Sequence, residues 1–240
     1  MTNHYGDTVS AHLRQVVEHN DAALGEAAQA MLDCVRADGL VLTAGAGHSL
    51  AAVAETFYRA GGLASVRPLY HPDLLPMHGA ARSTHAERRS GLAAEVLKAA
   101  PLGEHDVLVV FSTSGVNPYP VELANLVRDA GRPVIGVTSG PASSVAPRRA
   151  GSTLAESSTI VLDTLVPPGD ATYPPDAPVA APISTIANAF LWNLLLVRLI
   201  ELARQAGVDL PLWRSSNVAG GDAANADQLA RLTPRVPALG

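Results

Sequence analysis

Two short apolar runs, each followed by small and hydroxyl-bearing residues, set the pattern of this chain. The first, Leu40-Val-Leu-Thr-Ala44, leads into Gly45-Ala-Gly-His-Ser49, and the second, Asp106-Val-Leu-Val-Val-Phe111, leads into Ser112-Thr-Ser-Gly115. Apolar runs of this length that are rich in β-branched residues are typical of buried parallel strands. Because apolar residues at helical spacing follow each loop, both stretches predict a strand, a loop and a helix in succession.

The remaining periodic segments predict further strands and helices in alternation, which is typical of an α/β domain with a parallel sheet. The predicted helices include Thr8 to Ala37, Leu50 to Ala60 and the most apolar one, Ser184 to Arg204. The other predicted strands are Ala64 to Leu69, Val134 to Thr138 and Thr159 to Leu162.

Two long segments lack a clear period and are predicted to be loops. Tyr70 to Arg89 contains several histidines, and Pro167 to Pro182 is too rich in proline to continue a helix or a central strand. We therefore divide the chain into an N-terminal helical segment (1–38), one domain (39–233) and a frayed tail (234–240).

Composition excludes several classes of protein. The formal net charge is −5 and the 17 basic residues are scattered, so neither a nucleic-acid footprint nor a polybasic membrane anchor is predicted. The stretch from Ile186 to Ile200 is too short and, with Asn188, Asn193 and Arg198, too polar to span a bilayer. Without a secretory signal or a second cysteine, the expectation is a soluble, cytoplasmic protein.

The two glycine- and hydroxyl-rich loops predict a site for an anion. Each places hydroxyl groups and free backbone N–H groups at the start of a helix, where the helix dipole favours negative charge. In a doubly wound sheet, such loops meet beyond the carboxyl ends of the strands. The alternative is that the Ser and Thr side chains are ordinary helix caps.

Competing motifs are absent from the sequence. Leu50 stands where a dinucleotide fingerprint needs its third glycine, and no Gly-Lys-Ser/Thr follows either loop. We therefore predict no cofactor. His71, His78 and His85 are seven residues apart without a helical pattern to align them, so we predict no metal, with a metal bound by these histidines as the alternative.

The two loops in this order, each between a strand and a helix, resemble the SIS (sugar isomerase) domain family. Other stretches resemble a bacterial subgroup of that family related to the N-acetylmuramic acid 6-phosphate etherases. These stretches are Glu55-Thr-Phe-Tyr-Arg-Ala-Gly-Gly62, Gly169-Asp-Ala171, Pro182-Ile-Ser-Thr185 and Asn217-Val-Ala-Gly-Gly-Asp222.

The resemblance implies a fold and a ligand. The fold is a three-layer αβα sandwich with a five-stranded parallel, flavodoxin-like sheet, here with an extra N-terminal helix. The ligand is a phosphorylated sugar, and SIS domains commonly pair so that a second subunit completes the site. The implied phosphate-binding residues are Ser49, Ser112, Thr113 and Ser114, with the backbones of Gly47 and Gly115.

Both sugar isomerases and etherases need a side chain that moves a proton. Glu55 and Glu87 are the candidate bases, and His78 is a candidate for ring opening. A surface position for Glu55, a helix-dipole role for Glu87 and a solvated loop position for His78 are the alternatives. Further candidates for contact with the sugar are His48, Asp170, Ser184, Thr185 and Asn217.

Two functional classes remain open after the sequence. One is an enzyme that isomerises or cleaves a phosphosugar, and the other is a binding module that senses one. The helix from Ser184 to Arg204 is apolar almost all round, so both of its faces need cover. We predict that the N-terminal helix or a second subunit covers it, and that the protein is a homodimer or homotetramer.

Overall fold

A five-stranded parallel sheet forms the centre of the protein, which is described over residues 4–240 by a computed structural model. The strand order is β2-β1-β3-β4-β5. This confirms the predicted α/β fold and the flavodoxin-like order. A separate two-stranded hairpin consists of β6 and β7. The bounds are β1 Val41–Gly45, β2 Val66–Leu69, β3 Val107–Phe111, β4 Val134–Thr138, β5 Ile160–Asp163, β6 Ala171–Tyr173 and β7 Ala180–Pro182.

Helices cover both faces of the sheet. The helices α1, α2 and α8 lie on one face, and α3, α4, α5 and α7 pack together on the other. The bounds are α1 His4–Arg36, α2 Leu50–Thr56, α3 Ala80–Arg88, α4 Leu92–Ala99, α5 Pro118–Asp129, α6 Gly140–Val145, α7 Leu154–Ser157, α8 Ser184–Gln205 and α9 Gly221–Leu232. The predicted helix from Leu50 to Ala60 is too long, because the backbone becomes extended at Phe57 and left-handed at Tyr58 (φ 45°).

The N-terminal helix is joined to the edge of the sheet through one buried side chain. The amide of Asn20 donates to the Asp163 carbonyl over 2.8 Å and accepts from the Asp163 N–H over 2.7 Å. Asn20 thereby pairs with the outer edge of β5 as a neighbouring strand would. Because α1 also packs along α8, the N-terminal helix covers one face of α8. Of the two predicted covers for this helix, the N-terminal helix and a second subunit, the first is therefore observed.

Part of α8 remains uncovered in the described residues. Ile186 and Val197 are 37% and 50% exposed, whereas Trp192 on the covered side is 2% exposed. By length and composition alone α8 could cross a membrane, but core helices of soluble proteins share this property and α8 packs against α1.

Both predicted loops contain regular structure. Residues 70–89 form two short 3-10 turns followed by α3, which buries no large apolar side chain and so leaves no period in the sequence. Residues 167–182 contain the β6–β7 hairpin, whose strands of three residues are too short to show an alternating pattern.

The segment predicted to be a frayed tail is packed on the domain. Val236 is 1% exposed, and the Arg235 guanidinium donates to the Asp38 carboxylate over 3.1 Å and to the Asp38 carbonyl over 2.7 Å. A single apolar side chain at the end of a chain gives no periodic signal, so the sequence pattern could not reveal this contact.

Candidate functional site

The two loops singled out in the sequence lie side by side at the point where the strand order reverses. Strands β1 and β3 are neighbours, and Gly45 at the end of β1 is aligned with Phe111 at the end of β3. The chain leaves β1 toward β2 and leaves β3 toward β4, so a crevice opens between the two connections.

A polar cavity of about 440 Å³ occupies this crevice. It brings together eight of the residues predicted to form the site, together with parts of α6 and the root of the β6–β7 hairpin. The eight residues are His48, Ser49, Glu87, Ser112, Thr113, Ser114, Asp170 and Ser184.

The second loop is held in shape by its own backbone and by β4. Gly115 has φ 59°, and a Cβ added there would lie 2.6 Å from the Thr138 Oγ1, so a side chain cannot be accommodated. The Ser112 hydroxyl accepts a hydrogen bond from the Gly115 N–H over 3.3 Å, and the Thr113 carbonyl accepts one from the Ser139 N–H over 2.9 Å. The loop is therefore fixed before any ligand binds.

Several hydroxyl groups in the cavity are free to bind a ligand. Within residues 4–240, the side chains of Ser49, Thr113 and Ser114 have no hydrogen-bond partner, and each residue is partly exposed. The cavity also lies at the start of α5, but Pro118 and Pro120 carry no N–H group, so the side-chain hydroxyls are the main donors on this side. No Lys or Arg is among the described residues that line it.

Glu87 is the free carboxylate of the cavity. It lies in the last turn of α3, is partly buried, and has no hydrogen bond or ion pair within residues 4–240. The helix is anchored one turn earlier, where the buried Ser83 hydroxyl donates to the Leu74 carbonyl over 2.8 Å. Glu87 is thus held at the wall of the cavity while its carboxylate remains unpaired.

Asp170, the second carboxylate, is already engaged. It accepts from the Ile183 and Ser184 N–H groups over 2.9 and 2.8 Å and from the Ser184 hydroxyl over 2.6 Å. These N–H groups belong to the first turn of α8, where a carboxylate stabilises the helix dipole. Asp170 therefore caps α8 and joins the hairpin to it.

Three predicted site residues lie away from the cavity. The Glu55 carboxylate contacts Arg59 and accepts a hydrogen bond from the Asn193 amide over 3.2 Å. Because Asn193 belongs to α8, the carboxylate points toward α8 and away from the cavity. Asn217 lines a separate small cleft beside Trp213. Thr185 is exposed on α8 and does not line the cavity.

His78 and the glycines also differ from the expected arrangement. The His78 ring lies beyond the cavity, with its Nδ1 3.4 Å from the Tyr70 Oη and 3.1 Å from the Pro72 carbonyl. Gly47, with φ 59°, lines a neighbouring apolar groove. Gly115 is buried beneath the loop and does not line the cavity.

Comparison with known proteins identifies the family. A model of the SIS domain matches residues 4–139. The chain belongs to the SIS-domain family. It is 32% identical to a UPF0309 protein of Geobacillus kaustophilus, over 100% of this chain and 97% of the relative. It is 33% identical to a UPF0309 protein of Shouchella clausii, over 95% of this chain and 94% of the relative.

Solved structures share this SIS fold. A phosphoheptose isomerase from Francisella tularensis has a TM-score of 0.53 and 20% identity, covering 83% of this chain and 96% of its own. The sugar isomerase domain of an RpiR transcription factor from Sphaerobacter thermophilus has a TM-score of 0.52 and 16% identity, covering 84% of this chain and 94% of its own. At these identities the likeness concerns the fold.

Sequence reasoning missed one polar residue in the cavity of this SIS domain. Asn117 is 8% exposed, lines the cavity, and accepts a hydrogen bond from the Arg149 guanidinium over 3.2 Å through its Oδ1. The sequence feature that could have revealed it is its position before Pro118: Asn is common just before a helix, and Pro is common at the first helical position. Its side chain caps no backbone N–H and contacts Arg149 instead.

A larger cavity lies at the opposite edge of the sheet. It has a volume of about 690 Å³ and is bounded by α1 and by the residues that precede β3 and β4, including Cys34, Glu104 and Arg132. Ligands of doubly wound sheets bind beyond the carboxyl ends of the strands. We therefore assign the candidate site to the smaller cavity.

Proposed function

We propose that this protein binds a phosphorylated sugar, with the phosphate between the loops that follow β1 and β3. The observation that supports this most directly is the convergence of partner-free hydroxyls from Ser49, Thr113 and Ser114 on one cavity at the switch point. A phosphate dianion accepts several hydrogen bonds at once, and the start of a helix favours it without a basic side chain. The cavity volume of about 440 Å³ suits a small ligand.

The reaction that we propose starts with removal of a proton from the sugar carbon next to the carbonyl. Glu87 is the proposed base, because its carboxylate lines the cavity and has no other partner in the described chain. In an isomerisation, the C–H electrons form an enediolate and the proton returns to the neighbouring carbon. In a lyase reaction, the same carbanion expels an oxygen substituent from the next carbon. Both reactions need one positioned base.

The second candidate function is a phosphosugar sensor without turnover. The observation that favours it is the state of Asp170, whose carboxylate is used by the first turn of α8. Glu87 and His48 then remain as the free titratable side chains of the cavity. A sensor must bind the phosphosugar but needs no acid–base pair. The two functions therefore differ in whether the bound sugar exchanges a proton with solvent, and not in how tightly the sugar binds.

The binding step is tested by calorimetry with a panel of hexose, heptose, amino-sugar and muramic acid phosphates and their unphosphorylated counterparts. We expect binding that requires the phosphate, and a loss of about 2–4 kcal/mol of binding free energy in the double variant Thr113→Val with Ser114→Ala, which removes two partner-free hydroxyls. Ser90→Ala, an exposed serine outside the cavity, is the matched control. Unchanged affinity in the double variant would sink the proposal.

We further propose that the protein is a cytoplasmic homodimer or homotetramer. The exposed Ile186 and Val197 on α8 are the apolar side chains that support this assembly. Light scattering at micromolar concentration tests it, and a strictly monomeric species contradicts it. In such an assembly a second subunit would supply Glu55 or Asn217 to a neighbouring cavity, and the variant Glu55→Gln tests the first of these.

A further inference from the structure

An apolar groove lies next to the polar cavity. It has a volume of about 580 Å³ and lies between α2 and residues 68–77. Its lining is formed mainly by Leu50, Val53, Phe57, Leu75 and Met77. Met77 is 85% exposed, so a large apolar side chain stands at the mouth of the groove without cover from the described residues.

The groove and the polar cavity meet at the first loop. His48 lines both, while Gly47 lines the groove and Ser49 lines the cavity. A Cβ added to Gly47 would meet no atom within 4 Å, so the space above the loop is open. One molecule can therefore extend from the hydroxyls of the cavity, across His48, into the groove.

We propose that this groove binds an apolar substituent, such as a short acyl or alkyl chain, on the phosphorylated ligand. The inference rests on the proposed function, since the phosphate must occupy the polar cavity. The chemistry of the groove defines the class of substituent: its walls are mainly aliphatic and aromatic carbon, His48 and Tyr70 add polar groups, and no Lys, Arg, Asp or Glu of residues 4–240 lines it. A charged or strongly hydrated substituent would lose its hydration there without gaining a partner.

The position of His78 agrees with this arrangement. Its Nδ1 is 3.4 Å from the hydroxyl of Tyr70, and Tyr70 itself lines the groove. The same Nδ1 also faces the Pro72 carbonyl over 3.1 Å, so the His78 ring lies beside Tyr70 at the rim of the groove.

The experiment compares glucosamine 6-phosphate carrying N-acyl chains of two, four and six carbons, with inorganic phosphate as the probe of the polar cavity. Calorimetry gives the affinity of each. We expect affinity to rise by about fourfold for each methylene that enters the groove. Inorganic phosphate, which does not reach the groove, should bind equally to wild type and to the groove variants.

Two variants change the groove and one serves as the control. Ala54→Phe fills the groove from an exposed position of α2, and Met77→Ser removes the apolar side chain at its mouth. Ala94→Phe makes the same change as the first variant on the exposed side of α4. We expect Ala54→Phe to abolish the dependence on chain length, Met77→Ser to reduce it, and Ala94→Phe to preserve it.

The outcomes separate this inference from the function on which it rests. Affinity that is independent of chain length, in a protein that binds inorganic phosphate, overturns the groove and leaves phosphosugar binding intact. Absence of binding by inorganic phosphate and by all three sugars overturns both. A chain-length dependence that survives in Ala54→Phe places the substituent elsewhere and also overturns the inference.

Discussion

The Ser184 hydroxyl donates a hydrogen bond to the Asp170 carboxylate over 2.6 Å, and through this contact the β6–β7 hairpin is attached to the start of α8. The backbone N–H groups of Ser184 and of Ile183, which precedes α8, donate to the same carboxylate. We expect Asp170→Ala to lower the free energy of unfolding by about 2–4 kcal/mol, because the Ser184 N–H and hydroxyl lose their acceptor and the Ile183 N–H keeps only the Asp170 carbonyl, over 3.2 Å. Denaturant unfolding of the ligand-free protein measures the change.

Asp176→Ala is the matched control for this substitution. Asp176 lies in the same hairpin, is exposed, and has no hydrogen-bond partner within residues 4–240. Its replacement should change the free energy of unfolding by less than about 0.5 kcal/mol. Equal effects of the two substitutions would show that the Asp170 carboxylate does not hold the hairpin.

The buried amide of Asn20 gives a second prediction about stability. It makes two hydrogen bonds with the backbone of Asp163 and donates a third to the Val16 carbonyl over 2.7 Å. Asn20→Ala should lower the free energy of unfolding by about 2–4 kcal/mol, because the edge of β5 loses its partner. Gln15→Ala, an exposed change on the same helix, should be nearly neutral, and a similar loss in both would contradict this role.

Glu87 gives the prediction about chemistry. If its carboxylate removes the sugar proton, Glu87→Gln should slow proton exchange between bound phosphosugar and deuterated solvent by about 10²-fold or more. Binding of the phosphosugar should persist, because the phosphate contacts are unchanged. Nuclear magnetic resonance follows the exchange and calorimetry follows the binding.

Glu55→Gln and His78→Gln are the comparison variants for this measurement, because both side chains lie outside the cavity of their own chain. We expect near-normal exchange in both. If proton exchange were normal in Glu87→Gln but lost in Glu55→Gln, the base would be Glu55, supplied by a second subunit. Binding without exchange in the unmodified protein would favour the sensor.

The single cysteine gives a prediction that is independent of ligand. Burial, and then the nearby Asp106 carboxylate, raise the pKa of the Cys34 thiol to about 12. At pH 8 the folded protein therefore contains almost no Cys34 thiolate, the form that reacts with iodoacetamide. Alkylation should be slow in the native state and become fast with denaturant at the unfolding midpoint. Fast alkylation of the native protein would contradict the burial of Cys34.

The long apolar runs were sufficient to predict the sheet and its longest helices. A buried parallel strand such as β3 must be apolar on both faces, so its position is visible in the residue types alone. The same holds for α8, whose bounds differ from the prediction by one residue. Short or polar elements give no such signal, which is why α3 and the β6–β7 hairpin were predicted to be loops.

The sequence by itself determined the fold class, the two loops and the hydroxyl groups that they carry. Only the tertiary structure decided which acidic side chains lie beside these hydroxyl groups. Glu87 lines the cavity with a free carboxylate, Asp170 caps α8, and Glu55 contacts Arg59 and Asn193. The reason is physical. Strand and loop identity follows from local residue pattern, whereas the direction of a carboxylate depends on which helices pack around it, and those partners are distant in sequence.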